Sequence, residues 1–471
     1  MSKTHDVIII GAGTAGLAAL REVRKRTESF LIVNDGAYGT TCARVGCMPS
    51  KALIEAAHAF ERRKSFEAFG ISGAEALEVD VAAVLRRVRK LRDDFVAGVL
   101  KATNELGERS IAGRARLLGP DRVDVDGTEY RAKRIVLATG STPIVPKPWK
   151  AFGDRVQTTD SLFDNDDLPQ RIAVIGLGAI GVEVAQALAR LGLDVTGFSL
   201  DDKFAGLTDS GVCAALDRKL RSEFTIHVGA TAELHESAGG LNVQTGEVKV
   251  EVDFVLAAMG RRPNVQDLGL ETLGVALDER GMPPVNRTTL QVADLPIYLA
   301  GDANGDAMIL HEAADEGHIA GINAGNQEPQ CFARRTPLGI VFSEPNVAFA
   351  GKRWSDLDPE STIVGRFDFA RQGRARTAER NEGMVAVYAD RESGKLLGAE
   401  LCAPGGEHMA HLIALAIDRE ATVRDFLRFP FYHPVFEEGL RSALRKLAKQ
   451  LPEASESDLA ACPGLSAEAL D

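Results

Sequence analysis

Two thiols separated by four residues are the strongest chemical signal in this 471-residue sequence. They are Cys42 and Cys47, within Gly39-Thr40-Thr41-Cys42-Ala43-Arg44-Val45-Gly46-Cys47-Met48-Pro49-Ser50-Lys51. A zinc site would need further Cys or His ligands at metal-binding spacing nearby. The segment has none, so no metal is expected. The other four cysteines, Cys213, Cys331, Cys402 and Cys462, stand alone in sequence, and six in a chain this long do not make a disulfide framework. The bland reading is two ordinary buried cysteines. Thiols this close in an intracellular chain point instead to redox use. A helix beginning near Cys47 would lower its thiol pKa by aiming backbone N–H groups at the sulfur.

The second chemical signal is a pair of glycine turns. Val7-Ile8-Ile9-Ile10 reads as a buried strand and runs into Gly11-Ala12-Gly13-Thr14-Ala15-Gly16, a helical stretch, and a strand at Phe30–Val33. Ile172-Ala173-Val174-Ile175 repeats the pattern with Gly176-Leu177-Gly178-Ala179-Ile180-Gly181, a helix to about Leu191 and a strand at Asp194–Phe198. The first glycine permits a tight turn and the second lets backbone approach a pyrophosphate. The third allows close helix–strand packing, and the helix N-terminus faces the anion. Each turn follows a strand and opens a helix, which sets it apart from a chance match. Two nucleotide-binding units in one chain follow.

The acidic residue expected about twenty residues on, which bonds a ribose, is missing from both. Counting from Gly11 reaches Asn34, with Asp35 adjacent; the same offset from Gly176 reaches Ser199. Asn34 can still donate to and accept from a ribose. Ser199 lacks the anion that repels a 2′-phosphate, yet no Arg follows to bind one and only Lys203 is near. NAD is favoured, and NADP stays open.

These residues need a large scaffold, and the composition supplies one. Hydrophobic residues make up 45% and charged residues 26%, and the length suits about three domains. The net charge of −12 argues against a nucleic-acid or anionic-membrane partner. No apolar run approaches a membrane span, and Val7–Ile10 is too short for a signal-peptide core, so a cytoplasmic protein is expected. A helical segment at about Lys51–Leu106 and short strands at about Ala112–Tyr130 separate the two units, followed by Val136-Leu137-Ala138-Thr139-Gly140. After Pro337 come strand patterns at Val347–Ala350, Thr362–Phe369, Met384–Ala389 and Lys395–Leu401, then helices at Gly406–Arg419 and Glu437–Lys449. The fold class is α/β: two Rossmann-like dinucleotide-binding domains plus a C-terminal α+β domain.

Over about residues 5–450 these motifs resemble the pyridine nucleotide–disulfide oxidoreductases, most closely the dihydrolipoamide dehydrogenases among them. The resemblance implies a homodimer with shared active sites and one FAD per subunit. Electrons then pass between NAD(P)H, flavin and a Cys42–Cys47 disulfide to or from a dithiol or disulfide substrate, a lipoyl group on a separate protein being one candidate. Cys47 is implied to lie against the flavin, Cys42 to exchange with substrate, and Lys51 to sit near the flavin N5 and pair with Glu183. Tyr298-Leu299-Ala300-Gly301-Asp302 resembles the family's second FAD motif, and Leu310-His311-Glu312-Ala313-Ala314-Asp315-Glu316-Gly317 follows it. Met259-Gly260-Arg261-Arg262-Pro263-Asn264 resembles the turn that returns to the FAD domain. The residues implied to hold FAD are Gly11, Gly13, Gly16, Asn34, Asp35, Thr41, Lys51, Gly113, Thr139, Gly140, Asp302, Leu310 and His311. Those implied for NAD are Gly176, Gly178, Ile180, Gly181, Ser199 and Gly260.

Phe431-Tyr432-His433-Pro434-Val435-Phe436-Glu437-Glu438 resembles the family's C-terminal His-Pro segment. His titrates nearest neutrality and suits the proton of a dithiol, and a carboxylate can orient the ring. The motif makes that carboxylate Glu438, with His433 serving the partner's cysteines. The expected domains are an FAD domain at 1–147 and 265–335, an NAD(P) domain at 148–264, a dimerisation domain at 336–450 and a mobile tail at 451–471.

Several positions depart from the family pattern: Thr40 for a second Gly, Val435 for Thr, Phe431 for a first His, and Asn34 and Ser199 at the ribose positions. Mercuric reductases carry adjacent C-terminal cysteines, whereas this chain has only Cys462. Flavin transhydrogenases lack the first redox cysteine, which Cys42 supplies. The alternatives to a dihydrolipoamide dehydrogenase are a reductase of another small disulfide, and a redox-sensing or binding flavoprotein without disulfide turnover.

Overall fold

The computed structural model describes residues 4–452 and 457–459. Most of the expected tail, with Cys462, lies outside the described residues. Of the tail residues that are described, Leu451 is 8% exposed and belongs to the C-terminal core, and Asp458 accepts from Arg445 Nε at 2.8 Å, so both are packed on that domain. The chain forms two compact units. One takes the residues up to Glu55, Asp80–Leu168 and Phe254–Arg334; the other takes Ala56–Val79, Pro169–Asp253 and the residues from Arg335 on.

The first unit is built on the strand Thr4–Ile10, whose Val7, Ile8 and Ile9 are fully buried. A strand covered on both faces reads as a continuous aliphatic run, which is why this one was visible in the sequence. It pairs in parallel with Phe30–Asn34 on one side, register Val7 to Phe30, and with Thr128–Leu137 on the other, register Ile8 to Ile135. Ser110–Ala112 extends the parallel run beyond Phe30–Asn34. The ten-residue strand Thr128–Leu137 forks: its start pairs antiparallel with Arg122–Val125 and its end pairs parallel with Ile297–Leu299. Ala115–Gly119 completes a seven-stranded sheet. The helices Thr14–Val23 and Leu310–Gly325 lie against each other through small residues. A Cβ on Gly317 would stand 2.2 Å from Ala15 O, so only glycine allows this approach.

In the second unit, Arg171–Ile175, Asp194–Ser199 and Thr225–Val228 form a parallel run beside the helix Ala179–Arg190. A three-stranded antiparallel meander, Glu233–Ser237, Gly240–Thr245 and Val248–Val252, follows. The C-terminal region is a five-stranded antiparallel sheet in the order Leu338–Val341, Asn346–Gly351, Leu396–Ala403, Met384–Asp390, Thr362–Asp368. The helices Gly406–Asp418, Val423–Leu427 and Glu438–Ala448 share its core through Met409, Ile413, Phe426, Leu440 and Leu444. This is the α+β architecture that the strand and helix patterns after Pro337 foretell. Among the described residues no helix is long and apolar enough to cross a membrane.

Candidate active site

Cys42 lies in a single helical turn, Thr41–Arg44, and Cys47 opens the 15-residue helix Cys47–Glu61. The helix begins where the sequence placed it. Gly46 lets the two pieces meet, since a Cβ there would stand 3.1 Å from Thr41 O. Cys42 and Cys47 are both half-buried and hydrogen-bonded to each other. That bond, burial and the negative charge of Cys47 push the Cys42 thiol well above its ordinary pKa, against a weaker pull from the Lys51 ammonium. The start of the helix at Cys47 aims backbone N–H groups at its sulfur, an arrangement that favours a thiolate there. Lys51 is half-buried on the same helix, one turn on. Thr40 has φ +61° and ψ 147°, a region suited to glycine, and its Oγ1 accepts from Ala43 N at 3.2 Å.

The glycines of the first turn divide by task. Gly11 has φ +107°, and a Cβ on it would stand 2.2 Å from Ala138 O; one on Gly16 would stand 1.8 Å from Gly11 O. Both are packing requirements. A Cβ on Gly13 would meet nothing within 4 Å, so the space over the helix N-terminus is open, as a pyrophosphate needs. Asn34, at the end of its strand, is tied into this loop: its Oδ1 accepts from Ala12 N at 2.9 Å and its Nδ2 donates to Gly36 O at 3.1 Å. Gly113 N donates to Asn34 O at 3.0 Å, while Asp35 is exposed beside them.

The turns carrying Thr139, Gly140 and Asp302 are held by Ser141 and by Arg261, Asn264 and Glu316, which the quoted motifs contain without a role. Asn264 accepts from and donates to the Thr139 turn: Thr139 Oγ1 to Asn264 O is 2.7 Å, and Asn264 Nδ2 to Thr139 O is 3.0 Å. Ser141 Oγ donates to Asp302 Oδ2 at 2.6 Å and accepts from Arg261 Nε at 2.8 Å. Asp302 Oδ1 takes no hydrogen bond among the described residues, which leaves it for hydroxyl groups of a ligand. Glu316, 1% exposed, accepts from Gly301 N at 2.7 Å and from Asn304 Nδ2, and Arg334 donates to its other oxygen at 2.8 Å. Burial raises the Glu316 pKa, against the pull of those donors. The available signal was a carboxylate one position before Gly317, on the face that carries Ala313 and Gly317. Leu310 and His311 open the helix behind Asp302 and are substantially exposed. The open cradle at Gly13 and the free oxygen of Asp302 fit FAD.

In the second turn, Gly176 has φ +96° and a Cβ on Gly178 would again meet nothing within 4 Å. Ile180 is exposed on the first helical turn, Gly181 is buried, Ser199 ends its strand half-buried, and Gly260 is exposed. The cradle fits a dinucleotide. Glu183, Gln186 and Arg190 form one stripe along the helix Ala179–Arg190 and clamp a single loop. Glu183 Oε1 accepts from Phe342 N at 2.9 Å, Gln186 exchanges two hydrogen bonds with the Glu344 backbone, and Arg190 Nη1 lies 2.8 Å from Glu344 Oε2.

His433 and Glu438 are brought together as the motif implied. Glu438 opens the helix Glu438–Ala448, and its Oε1 lies 2.9 Å from His433 Nδ1 while Oε2 accepts from Val435 N at 3.3 Å. The carboxylate fixes the Nδ1–H tautomer, which directs Nε2 outward. Among the described residues no group of His, Cys, Asp and Glu side chains could hold a metal.

Residues 5–317 match the family model for pyridine nucleotide-disulphide oxidoreductases, and residues 338–444 match that family's dimerisation domain. The chain belongs to the pyridine nucleotide-disulphide oxidoreductase family. It is 32% identical over 468 residues to the dihydrolipoyl dehydrogenase of Thermus scotoductus, covering 95% of this chain and 98% of that one. It is 30% identical over 459 residues to the mitochondrial dihydrolipoyl dehydrogenase of Sus scrofa, covering 93% and 89%. LpdA from Mycobacterium tuberculosis superposes with a TM-score of 0.81 at 25% identity, covering 94% of this chain and 99% of that one. The HOCl-induced flavoprotein disulfide reductase RclA from Escherichia coli, at 22% identity and TM-score 0.80 over 94% and 99%, shares the fold. The protein is an FAD-dependent, NAD(P)-using disulfide oxidoreductase of lipoamide dehydrogenase-like type.

Proposed function

We propose that the protein is a dihydrolipoamide dehydrogenase that oxidises a lipoyl dithiol and delivers the electrons to NAD. The observation that carries this reading is the hydrogen-bonded Cys42–Cys47 pair at the start of a helix. The glycine turn of Gly11, Gly13 and Gly16, with Thr139, Gly140 and Asp302, holds FAD; the turn of Gly176, Gly178 and Gly181, with Ser199, holds NAD. Bound FAD supplies the hydride exchange with the nicotinamide that returns the cysteine pair to the disulfide.

The chain's own residues perform the thiol chemistry. A substrate thiolate attacks the Cys42 sulfur of the Cys42–Cys47 disulfide. The S–S bond breaks, a mixed disulfide forms at Cys42, and Cys47 leaves as the thiolate that its helix stabilises. The second substrate sulfur then attacks its neighbour. Cyclic disulfide departs, and Cys42 takes back the electron pair and a proton. His433 accepts the substrate's thiol proton at Nε2 and returns it, while Glu438 holds the ring and balances its charge. His433 is 81% exposed within its own chain, and residues 338–444 match a dimerisation domain; both support a homodimer in which this pair completes the partner's site. The FAD domain is assigned to 1–147 and 265–335, the NAD domain to 148–264 and the dimerisation domain to 336–450.

The test is steady-state turnover of purified, FAD-loaded protein with NADH or NADPH against lipoamide, glutathione disulfide and small aliphatic disulfides. Lipoamide with NADH is expected to give the highest kcat/KM. Preference for another disulfide reassigns the substrate, and turnover of none leaves a redox-sensing flavoprotein.

A further inference from the structure

A cavity of about 730 Å³ lies within the first unit, behind the turn Gly301–Asn304. Its apolar wall is Ile144, Val265, Met282, Val285, Leu290 and Met308. Five guanidinium groups line it, those of Arg261, Arg262, Arg280, Arg287 and Arg334, against three carboxylates, Asp278, Asp306 and Glu316. Four of the five have partners. Arg261 is bonded to Ser141, Arg334 to Glu312 and Glu316, Arg287 lies 2.6 Å from Asp306, and Arg280 lies 3.7 Å from Asp278. Arg262 is exposed at the cavity, and its guanidinium has no hydrogen-bond or ion-pair partner among the described residues. None of the glycine-turn residues and neither redox cysteine lines the cavity.

An apolar wall with an unpaired guanidinium at its edge is complementary to an amphiphilic anion. We propose that this cavity binds a small organic anion. A flat or branched apolar body packs on Val285, Leu290 and Met308, and a carboxylate or sulfonate is held by the Arg262 fork. Guanidinium suits this task because it is permanently charged and matches two oxygens at once. The site reaches the cofactor-binding turn directly. Asn304 and Glu316 both line the cavity, and Glu316 holds the Gly301 N–H beside Asp302. A ligand here therefore stiffens the turn that carries Asp302.

Isothermal titration of the FAD-loaded protein with 1-naphthalenesulfonate, and with neutral 1-naphthalenemethanol as its control, tests this. The expected result is about one sulfonate per chain, bound at least ~10-fold more tightly than the alcohol, a preference that one guanidinium–anion contact can supply. Arg262→Gln is expected to remove the preference, and Val285→Trp to remove binding of both probes. Saturating NAD should leave the sulfonate affinity unchanged. Failure of wild type to bind the sulfonate overturns the proposal, as does equal binding by Arg262→Gln. Displacement by NAD also overturns it, because the cavity is then an extension of the nucleotide site. Arg262 is exposed, so its variant keeps the test decisive if Val285→Trp does not fold.

Discussion

Glu438 Oε1 stands 2.9 Å from His433 Nδ1, and the same carboxylate accepts the Val435 N–H through its other oxygen at 3.3 Å. One side chain thereby fixes both the ring and the backbone that carries it. In the proposed mechanism the proton-transfer nitrogen is Nε2, and the ring is 81% exposed on its own chain.

His433→Gln is expected to slow dihydrolipoamide oxidation by about 10²–10⁴-fold, the range for loss of one general acid–base group. Reduction of the bound flavin by NADH should change little, because that half of the cycle moves no substrate thiol proton. Stopped-flow absorbance separates the two. Equal loss in both halves would assign His433 a structural task instead.

The two kinds of glycine in the first turn should fail differently. Gly16→Ala places a Cβ 1.8 Å from Gly11 O and is expected to prevent soluble expression. Gly13→Ala has space for its Cβ and should fold, yet lose most of its FAD because the methyl occupies the pyrophosphate's approach. Flavin content and circular dichroism of the two variants check this.

Thr40 holds a backbone conformation, φ +61° with ψ 147°, that costs a β-branched residue on the order of 1–3 kcal/mol. Thr40→Gly relieves that strain and gives up only a helix cap worth a few tenths of a kcal/mol. It is expected to raise the thermal midpoint, with a net gain of about 1 kcal/mol after glycine's added freedom in the unfolded chain is counted. Gly39→Ala should lower it, since its Cβ would stand 2.9 Å from Val96 Cγ1 at φ +117°. Calorimetry on the two variants gives opposite signs if this reading holds.

Much of this site was legible because its parts are local. The aliphatic strand, the glycine spacing and the Cys42–Cys47 interval all lie within a few residues of one another. The His433–Glu438 pair came from the family's motif and spans only five residues. What was not legible depends on loops meeting across the fold. Asn34 is tied to Ala12, 22 residues away, so its side chain steadies the glycine loop, a task its place at the end of the strand did not reveal. Glu316 supports Asp302 only because a helix returns beneath the turn, and Asn264 reaches Thr139 across 125 residues. The positive φ of Thr40 was hidden for another reason: its sequence departure marked the position, while its backbone angle depends on how the redox helix is docked.

Glu22 joins the helices Thr14–Val23 and Leu310–Gly325, accepting from Lys25 and Arg26 on its own side and meeting His318 Nδ1 at 3.2 Å on the other. Burial raises its pKa, but the hydrogen bonds from Lys25, Arg26 and His318 outweigh burial and hold it at about 2. A carboxylate with a depressed folded pKa stabilises the fold above its unfolded value, and that stability is lost as pH falls through the folded one. The difference in urea stability between wild type and Glu22→Gln should therefore be full above pH 4.5 and shrink toward about pH 2. A difference that stays constant over that window would remove Glu22 from the acid response.

NADH formation from dihydrolipoamide and NAD, compared between wild type and Cys42→Ser, tests the proposed thiol chemistry most directly. Wild type is expected to form NADH and Cys42→Ser none, because the substrate has lost the sulfur it attacks. The variant should still oxidise NADH with ferricyanide. It should also show long-wavelength absorbance from a Cys47 thiolate beside oxidised flavin, a band that Cys47→Ser lacks. NADH formation by Cys42→Ser at the wild-type rate, or none by wild type under conditions where ferricyanide is reduced, contradicts dihydrolipoamide oxidation through the Cys42–Cys47 pair.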